Sequence, residues 1–236
     1  MKDITLLELL KSGAHFGHST SRWNPKMKPF IFTARNGVHI LDLEKTKKYL
    51  IKAMEFAKTL ASKGGSILFV GSKKQTRDIL KTAALDCDMP FVNIRWLGGT
   101  FTNFRTIQKT IRKLEKLEHL KVSGEIERYT KKERLMIERE IDKLKKLFEG
   151  IKNLKRIPDA IFVTDSKHDA IAIKEAKKAK VKIIGVVDSN VSPEGIDYLI
   201  PCNDDATKAV ELVLGALSSA IKEGRSSMTV IKEETK

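Results

Sequence analysis

Ser66-Ile67-Leu68-Phe69-Val70-Gly71 is a short run of consecutive apolar residues closed by a glycine, and a helical pattern from about Gln75 to Leu85 follows it. A strand with one wet face alternates polar and apolar residues, so an unbroken run this short predicts a strand buried on both faces. The same unit recurs downstream. Phe91-Val92-Asn93-Ile94, Ala160-Ile161-Phe162-Val163-Thr164, Val181 to Val187 and Tyr198-Leu199-Ile200 read as four more strands. Helices are expected around Ala170 to Lys178 and from Asp205 to about Glu223. Strands alternating with helices predict a mostly parallel sheet covered on both sides, and right-handed crossovers make it a doubly wound α/β layer.

Upstream, Leu6, Leu7, Leu9 and Leu10 predict a short helix broken near Ser12-Gly13, followed by a basic loop from Ala14 to Pro29. Asn36-Gly37 between Phe30-Ile31-Phe32-Thr33 and Val38-His39-Ile40-Leu41 predicts a hairpin, since both residues tolerate the left-handed backbone of a two-residue turn. Asp42 is placed to cap a helix running to Lys63, and Gly64-Gly65 to end it.

One segment interrupts the alternation. Ile107, Ile111, Leu114, Leu117 and Leu120 form one helical stripe, and Ile137, Ile141, Leu144, Phe148 and Ile151 follow a heptad spacing. Thr130-Lys131-Lys132-Glu133 between them is a capping box. This predicts an antiparallel coiled-coil helical hairpin inserted in the sheet. The expected organisation is a discontinuous α/β domain of residues 1–104 and 155–225, a hairpin of 105–154, and a flexible tail of 226–236.

The chain has 236 residues with 45 Lys and Arg against 30 Asp and Glu, a formal charge of +15. Self-repulsion of that size works against compactness, and a polyanionic partner is the simplest reason to carry it. Residues 1–104 hold 17 basic and 8 acidic residues (net +9), 105–150 hold 14 and 9 (net +5), and 151–236 hold 14 and 13 (net +1). The excess therefore predicts a basic face in the first half and the hairpin. No run approaches the roughly 20 apolar residues of a membrane helix, and Met1-Lys2-Asp3 opens no signal peptide. Cys87 and Cys202 make neither a zinc-ligand pair nor a disulfide framework, which points to a reducing, cytoplasmic setting.

Catalytic signals are absent: no phosphate-binding glycine motif, no nucleophile elbow and no Ser-His-Asp order. His119 and His168 read as hairpin and surface-loop histidines. Gly71 to Gln75 would offer N–H groups and two lysines to a phosphate at a helix start. Asp165, Asp188 and Asp204-Asp205 each follow a strand, at the sheet edge where α/β ligand sites form. Each alone reads as a helix cap. Together with His18, Asp188 and Asp204 could hold a structural zinc or magnesium ion, although no cofactor is required. Arg22-Trp23-Asn24-Pro25-Lys26-Met27-Lys28 and the stretch from Arg95-Trp96 to Phe104-Arg105 mix cations with planar side chains, a composition suited to RNA. Packing is the favoured role for Trp23, Trp96, Phe101 and Phe104. Candidate phosphate contacts are Arg22, Lys26, Lys28, Arg35, Lys73, Lys74, Arg95, Arg105, Lys109, Arg112, Lys131 and Lys132.

Several of these segments, in order along nearly the whole chain, resemble the bacterial ribosomal protein S-two family of the small subunit. They include Gly13-Ala14-His15-Phe16-Gly17-His18, Arg22-Trp23-Asn24-Pro25-Lys26-Met27, Gly37-Val38-His39-Ile40-Leu41-Asp42-Leu43, Phe69-Val70-Gly71-Ser72-Lys73-Lys74-Gln75 and Arg95-Trp96-Leu97-Gly98-Gly99. Val187-Asp188-Ser189-Asn190 and Ile200-Pro201-Cys202-Asn203-Asp204-Asp205-Ala206 continue the likeness. The chain departs from the family pattern at Cys202 and at Val191-Ser192. The resemblance implies a Rossmann-like or flavodoxin-like domain with an inserted coiled-coil hairpin and no catalysis. It implies a structural constituent of the 30S subunit that binds 16S ribosomal RNA in the cytoplasm. Implied partners are neighbouring small-subunit proteins, including the mRNA-binding protein S-one; no membrane, DNA or small-molecule substrate is expected. Charge assigns the S-one face to the less basic C-terminal half. The rival expectations are a metal-dependent α/β enzyme on a phosphorylated substrate and a free RNA-binding regulator.

Overall fold

The computed structural model describes residues 4–234, with side chains as far as Ser227. Helix α1 (Leu6–Lys11) starts at a capping box in which Thr5 accepts from the Glu8 N–H and Glu8 accepts from the Thr5 N–H. The stretch expected as a loop from Ala14 to Pro29 instead carries strand β1 (Phe16–Ser19) and a 3-10 turn at Pro25–Phe30. Four residues with no alternating pattern give no strand signal alone; β1 exists because β3 pairs with it. Strands β2 (Ile31–Arg35) and β3 (Val38–Leu41) make the expected hairpin. Asn36 at φ 51° and Gly37 at φ 76° form its turn. The three strands build a small antiparallel sheet in the order β1-β3-β2.

Helix α2 (Leu43–Ser62) begins at Asp42, whose side chain accepts from the Glu44 and Lys45 N–H groups. The main unit follows as β4 (Ile67–Val70), α3 (Arg77–Asp86) and the two-residue β5 (Phe91–Val92). Helices α4 (Phe104–Val122) and α5 (Lys131–Phe148) come next, then β6 (Ala160–Val163), α6 (Ala170–Lys178), β7 (Lys182–Val187), β8 (Tyr198–Pro201) and α7 (Thr207–Glu234). The larger sheet is parallel throughout, in the order β5-β4-β6-β7-β8. Counted within that sheet this is the 2-1-3-4-5 arrangement of flavodoxin-like folds, with the strand order reversing between β4 and β6.

Alternate residues of each central strand feed two cores. Phe69 and Phe162 face α2, α3 and α7, while Leu68, Val70, Ile161 and Val163 face α4, α5 and α6. Both sets are fully buried, which is why these strands read as unbroken apolar runs. α4 and α5 sit between β5 and β6 in the chain, and Ile107, Ile111, Leu114, Ile141 and Phe148 from the two predicted stripes are buried. Lys113–Glu140 (2.5 Å) and Lys121–Glu138 (3.1 Å) pair across the two helices. Thr130 and Glu133 form the expected capping box. α7 is longer than its sequence pattern predicts and continues through most of the stretch expected as a tail; residues 235–236 lie outside the described residues.

Candidate nucleic-acid interface

The carboxyl ends of the parallel strands gather the aspartates as expected, but a lysine stands among them. Lys73, from the loop after β4, places Nζ 3.2 Å from Asp165 Oδ2, 3.3 Å from Asp204 Oδ1 and 2.5 Å from Asp205 Oδ1. Burial alone would lower its pKa, yet the three carboxylates outweigh burial and hold it above the ordinary lysine value. Burial, with the charges of Asp165 and Asp188, pushes Asp204 up to about 7 against the pull of Lys73. Lys73 was expected to face a phosphate; it turns inward because two of the carboxylates, Asp165 and Asp204, are themselves buried and need a cation.

His18, from β1, reaches the same edge. Its Nδ1 lies 3.0 Å from Asp188 Oδ2 and its Nε2 lies 3.6 Å from Asp205 Oδ2. Burial raises the Asp188 pKa, and the His18 charge opposes that rise. Of the three expected metal ligands, His18 and Asp188 meet, while Asp204 turns to Lys73. Among the described residues, no group of three His, Cys, Asp or Glu side chains has the geometry to hold a metal ion.

The nearby Ser72, His168 and Asp169 do not make a nucleophilic triad. The Ser72 hydroxyl donates to Asp169 Oδ1 at 2.6 Å, so His168 Nδ1, 2.9 Å away, is left to donate to Ser72 rather than to deprotonate it. Cys87 and Cys202 are free and buried, and burial pushes the Cys87 thiol up to about 11.

The remaining cations point outward. Arg22 follows β1, Lys26 and Lys28 lie on the 3-10 turn, and Arg35 stands at the β2–β3 hairpin tip. Lys26 pairs with Glu194 at 2.6 Å. Lys74 is exposed beside the inward Lys73, and Arg95 is exposed in the loop after β5. Arg105, Lys109 and Arg112 recur at four and three residues along the exposed face of α4, and Lys131 and Lys132 open α5. Lys26 and Lys73 apart, none of these candidates forms an ion pair among the described residues. The structure disperses them over several loops, the β2–β3 tip, α4 and the start of α5; only the α4 trio shares a helix face. Trp96 and Phe101 are buried edge to face against one another, and Trp23 packs 5.1 Å from the His39 ring, so packing explains these aromatics.

Two features escaped the sequence reading. Glu175 on α6 is buried, and its carboxylate accepts the N–H groups of Gly99, Phe101 and Thr102. No local pattern marks a helical glutamate as the anchor of a loop 73–76 residues away in the chain. The second is an apolar surface around α1 and the small sheet, where Leu7, Leu10, Phe16 and Phe32 are exposed, Phe32 by 76%. Leu10, His15, Phe32 and Ile40 line a depression there of about 320 Å³.

The fold and the site define a flavodoxin-like parallel α/β domain whose strand-end carboxylates are closed by internal ion pairs, with exposed cations distributed outside them. Comparison with known proteins gives the particular family. The family described as "Ribosomal protein S2" matches residues 9–224, so the chain belongs to the ribosomal protein S2 family. It is 47% identical over 234 residues to the small ribosomal subunit protein uS2 of Shewanella halifaxensis, covering 99% of this chain and 97% of that one. It is likewise 47% identical to the uS2 of Psychromonas ingrahamii, covering 96% of that protein. The chain is a structural component of the small ribosomal subunit and not an enzyme.

Proposed function

We propose that this protein binds 16S ribosomal RNA through its outward cations and presents its apolar N-terminal surface to a neighbouring ribosomal protein. The observation that carries the RNA reading is the set of exposed, unpaired cations, above all Arg105, Lys109 and Arg112 on one face of α4. Each phosphate they neutralise releases condensed counterions, which makes binding strongly salt-dependent. Residues 105–154 act as an arm that carries this charge, with Lys131 and Lys132 near its far end, while residues 1–104 and 155–225 form the body.

Docking of the S-one protein is assigned to the surface around Leu7, Leu10, Phe16 and Phe32 rather than to the C-terminal half. Exposed aromatic and aliphatic side chains in one patch are what a protein partner covers. No cofactor is needed for either task, because Lys73 supplies positive charge to Asp165 and Asp204 and the His18 ring lies against Asp188. A zinc or magnesium ion on His18, Asp188 and Asp204 would have to displace Lys73 from Asp204, and metal analysis of purified protein decides between the two.

The test is sedimentation of a lysate through a sucrose gradient at low and high salt. Stoichiometric migration with 30S and 70S particles at both salts supports the assignment. Recovery at the top of the gradient at both salts sinks it and favours a free RNA-binding regulator.

A further inference from the structure

The C-terminal third has a net charge of only +1 (14 basic and 13 acidic residues), yet its surface is not neutral. Asp165, Asp169, Glu175, Asp188 and Asp204 are all buried. Their charges are answered inside the fold, by Lys73, His18 and backbone N–H groups. The lysines of the same segment have no such internal use and remain outside.

They concentrate on α6. Ala172, Ile173, Glu175 and Ala176 form the buried side of that helix. Lys174 and Lys178, one turn apart, lie on the opposite side, and Lys167 is exposed in the turn that leads into it. Two neighbouring lysines are tied down: Lys177 Nζ donates to the Glu194 carbonyl at 2.8 Å, and Lys182 pairs with Asp197 at 2.7 Å. Lys167, Lys174 and Lys178 form no ion pair among the described residues. Like charges at i and i+4 on an exposed helix face repel; the negative end of the helix dipole eases this for Lys178 in the last turn, and an anion outside would relieve it for the whole stripe.

We propose that the outer face of α6, carrying Lys167, Lys174 and Lys178, is a second contact surface for the RNA phosphate backbone. This rests on the rRNA-binding reading above and extends it to a part of the chain whose net charge argued against it. Ile171, 58% exposed, lies among these lysines, but the face carries no exposed aromatic, so it would grip backbone and not stack bases. It is also rigidly joined to the first surface. Glu175, adjacent to Lys174, holds the Gly99–Thr102 loop that leads into α4, and α4 and α6 pack on the same side of the sheet. One RNA element can therefore span the α6 lysines and the cations of Arg95 and α4.

The experiment uses the full chain and naked 16S rRNA, titrated at several KCl concentrations. Three proteins are compared with the wild type: Lys167→Gln/Lys174→Gln/Lys178→Gln, the same positions changed to Arg, and Arg105→Gln/Lys109→Gln/Arg112→Gln. The α6 glutamine triple should bind about tenfold more weakly, with a salt slope reduced by about two, an unchanged melting temperature, and binding restored in the arginine triple. If that triple keeps wild-type affinity and slope while the α4 triple loses both, the α6 surface is overturned and the RNA reading survives. If the wild type itself shows no salt-dependent binding, both fall. Lysine cross-links from α6 that lead to an acidic protein in assembled subunits, and not to RNA, also overturn the α6 assignment.

Discussion

Glu175 Oε1 accepts the Gly99 N–H at 2.6 Å although the two residues are 76 positions apart. Glu175 Oε2 takes the Phe101 N–H at 2.9 Å and the Thr102 N–H at 3.3 Å. Three donors from one short loop converging on a buried carboxylate fix the segment between β5 and α4, and with it the direction in which α4 leaves the sheet. Glycine suits this loop because Gly99 sits at φ 94°, where a side chain would be strained.

Removing the acceptor should therefore cost more than an average mutation. Glu175→Ala leaves the donors unpaired in a dry site, and hydrogen bonds to a charged group are worth about 1.5–3 kcal/mol each. We expect a loss of about 3 kcal/mol in a urea unfolding experiment, and faster amide exchange at residues 99–102. Glu175→Gln keeps one acceptor oxygen and should lose less.

The same carboxylate makes a pH prediction. Burial opposes its charge, but the Gly99, Phe101 and Thr102 N–H groups more than compensate and hold its pKa below the ordinary 4.5. A lowered carboxylate pKa stabilises the fold above the unfolded value, and that stability is lost as pH falls through the folded value. Between about pH 5 and pH 3 the wild type should lose melting temperature more steeply than Glu175→Gln. Parallel curves would assign acid sensitivity elsewhere.

Lys73 and Lys74 are neighbours with opposite expected phenotypes. Lys73→Met strips the cation from buried Asp165 and Asp204 and should cost about 3–5 kcal/mol. Lys74→Met changes an exposed side chain and should alter stability by less than about 0.5 kcal/mol, while weakening RNA binding and flattening its salt dependence. Denaturation and filter binding on the two variants separate the roles.

Gly150 marks where the α4–α5 segment rejoins the body. A Cβ there would lie 2.1 Å from the Phe91 carbonyl oxygen and 2.6 Å from the Phe91 ring. Because the nearest obstacle is backbone, the chain must shift, and Gly150→Ala should destabilise by about 3 kcal/mol. A melting curve unchanged from wild type would show that the junction is loose.

The five parallel strands, the Asn36-Gly37 hairpin, the Asp42 and Thr130 caps and the α4–α5 stripes were legible because each rests on local periodicity or on a turn that few residues permit. β1 was not, since four residues without alternation become a strand only when β3 lies beside them. The family likeness was legible through ordered motifs.

Charge was the property most easily misjudged from residue counts. The sequence by itself determined the chain's excess of cations, its sheet and the meeting of the aspartates at the strand ends, because burial pattern and strand polarity follow from residue order. Only the tertiary structure decided which charges face water. Lys73 is drawn inward because desolvated carboxylates require a nearby cation, Glu175 because three backbone donors require an acceptor, and the lysines of α6 are left outside because the opposite side of the same helix is packed on the sheet.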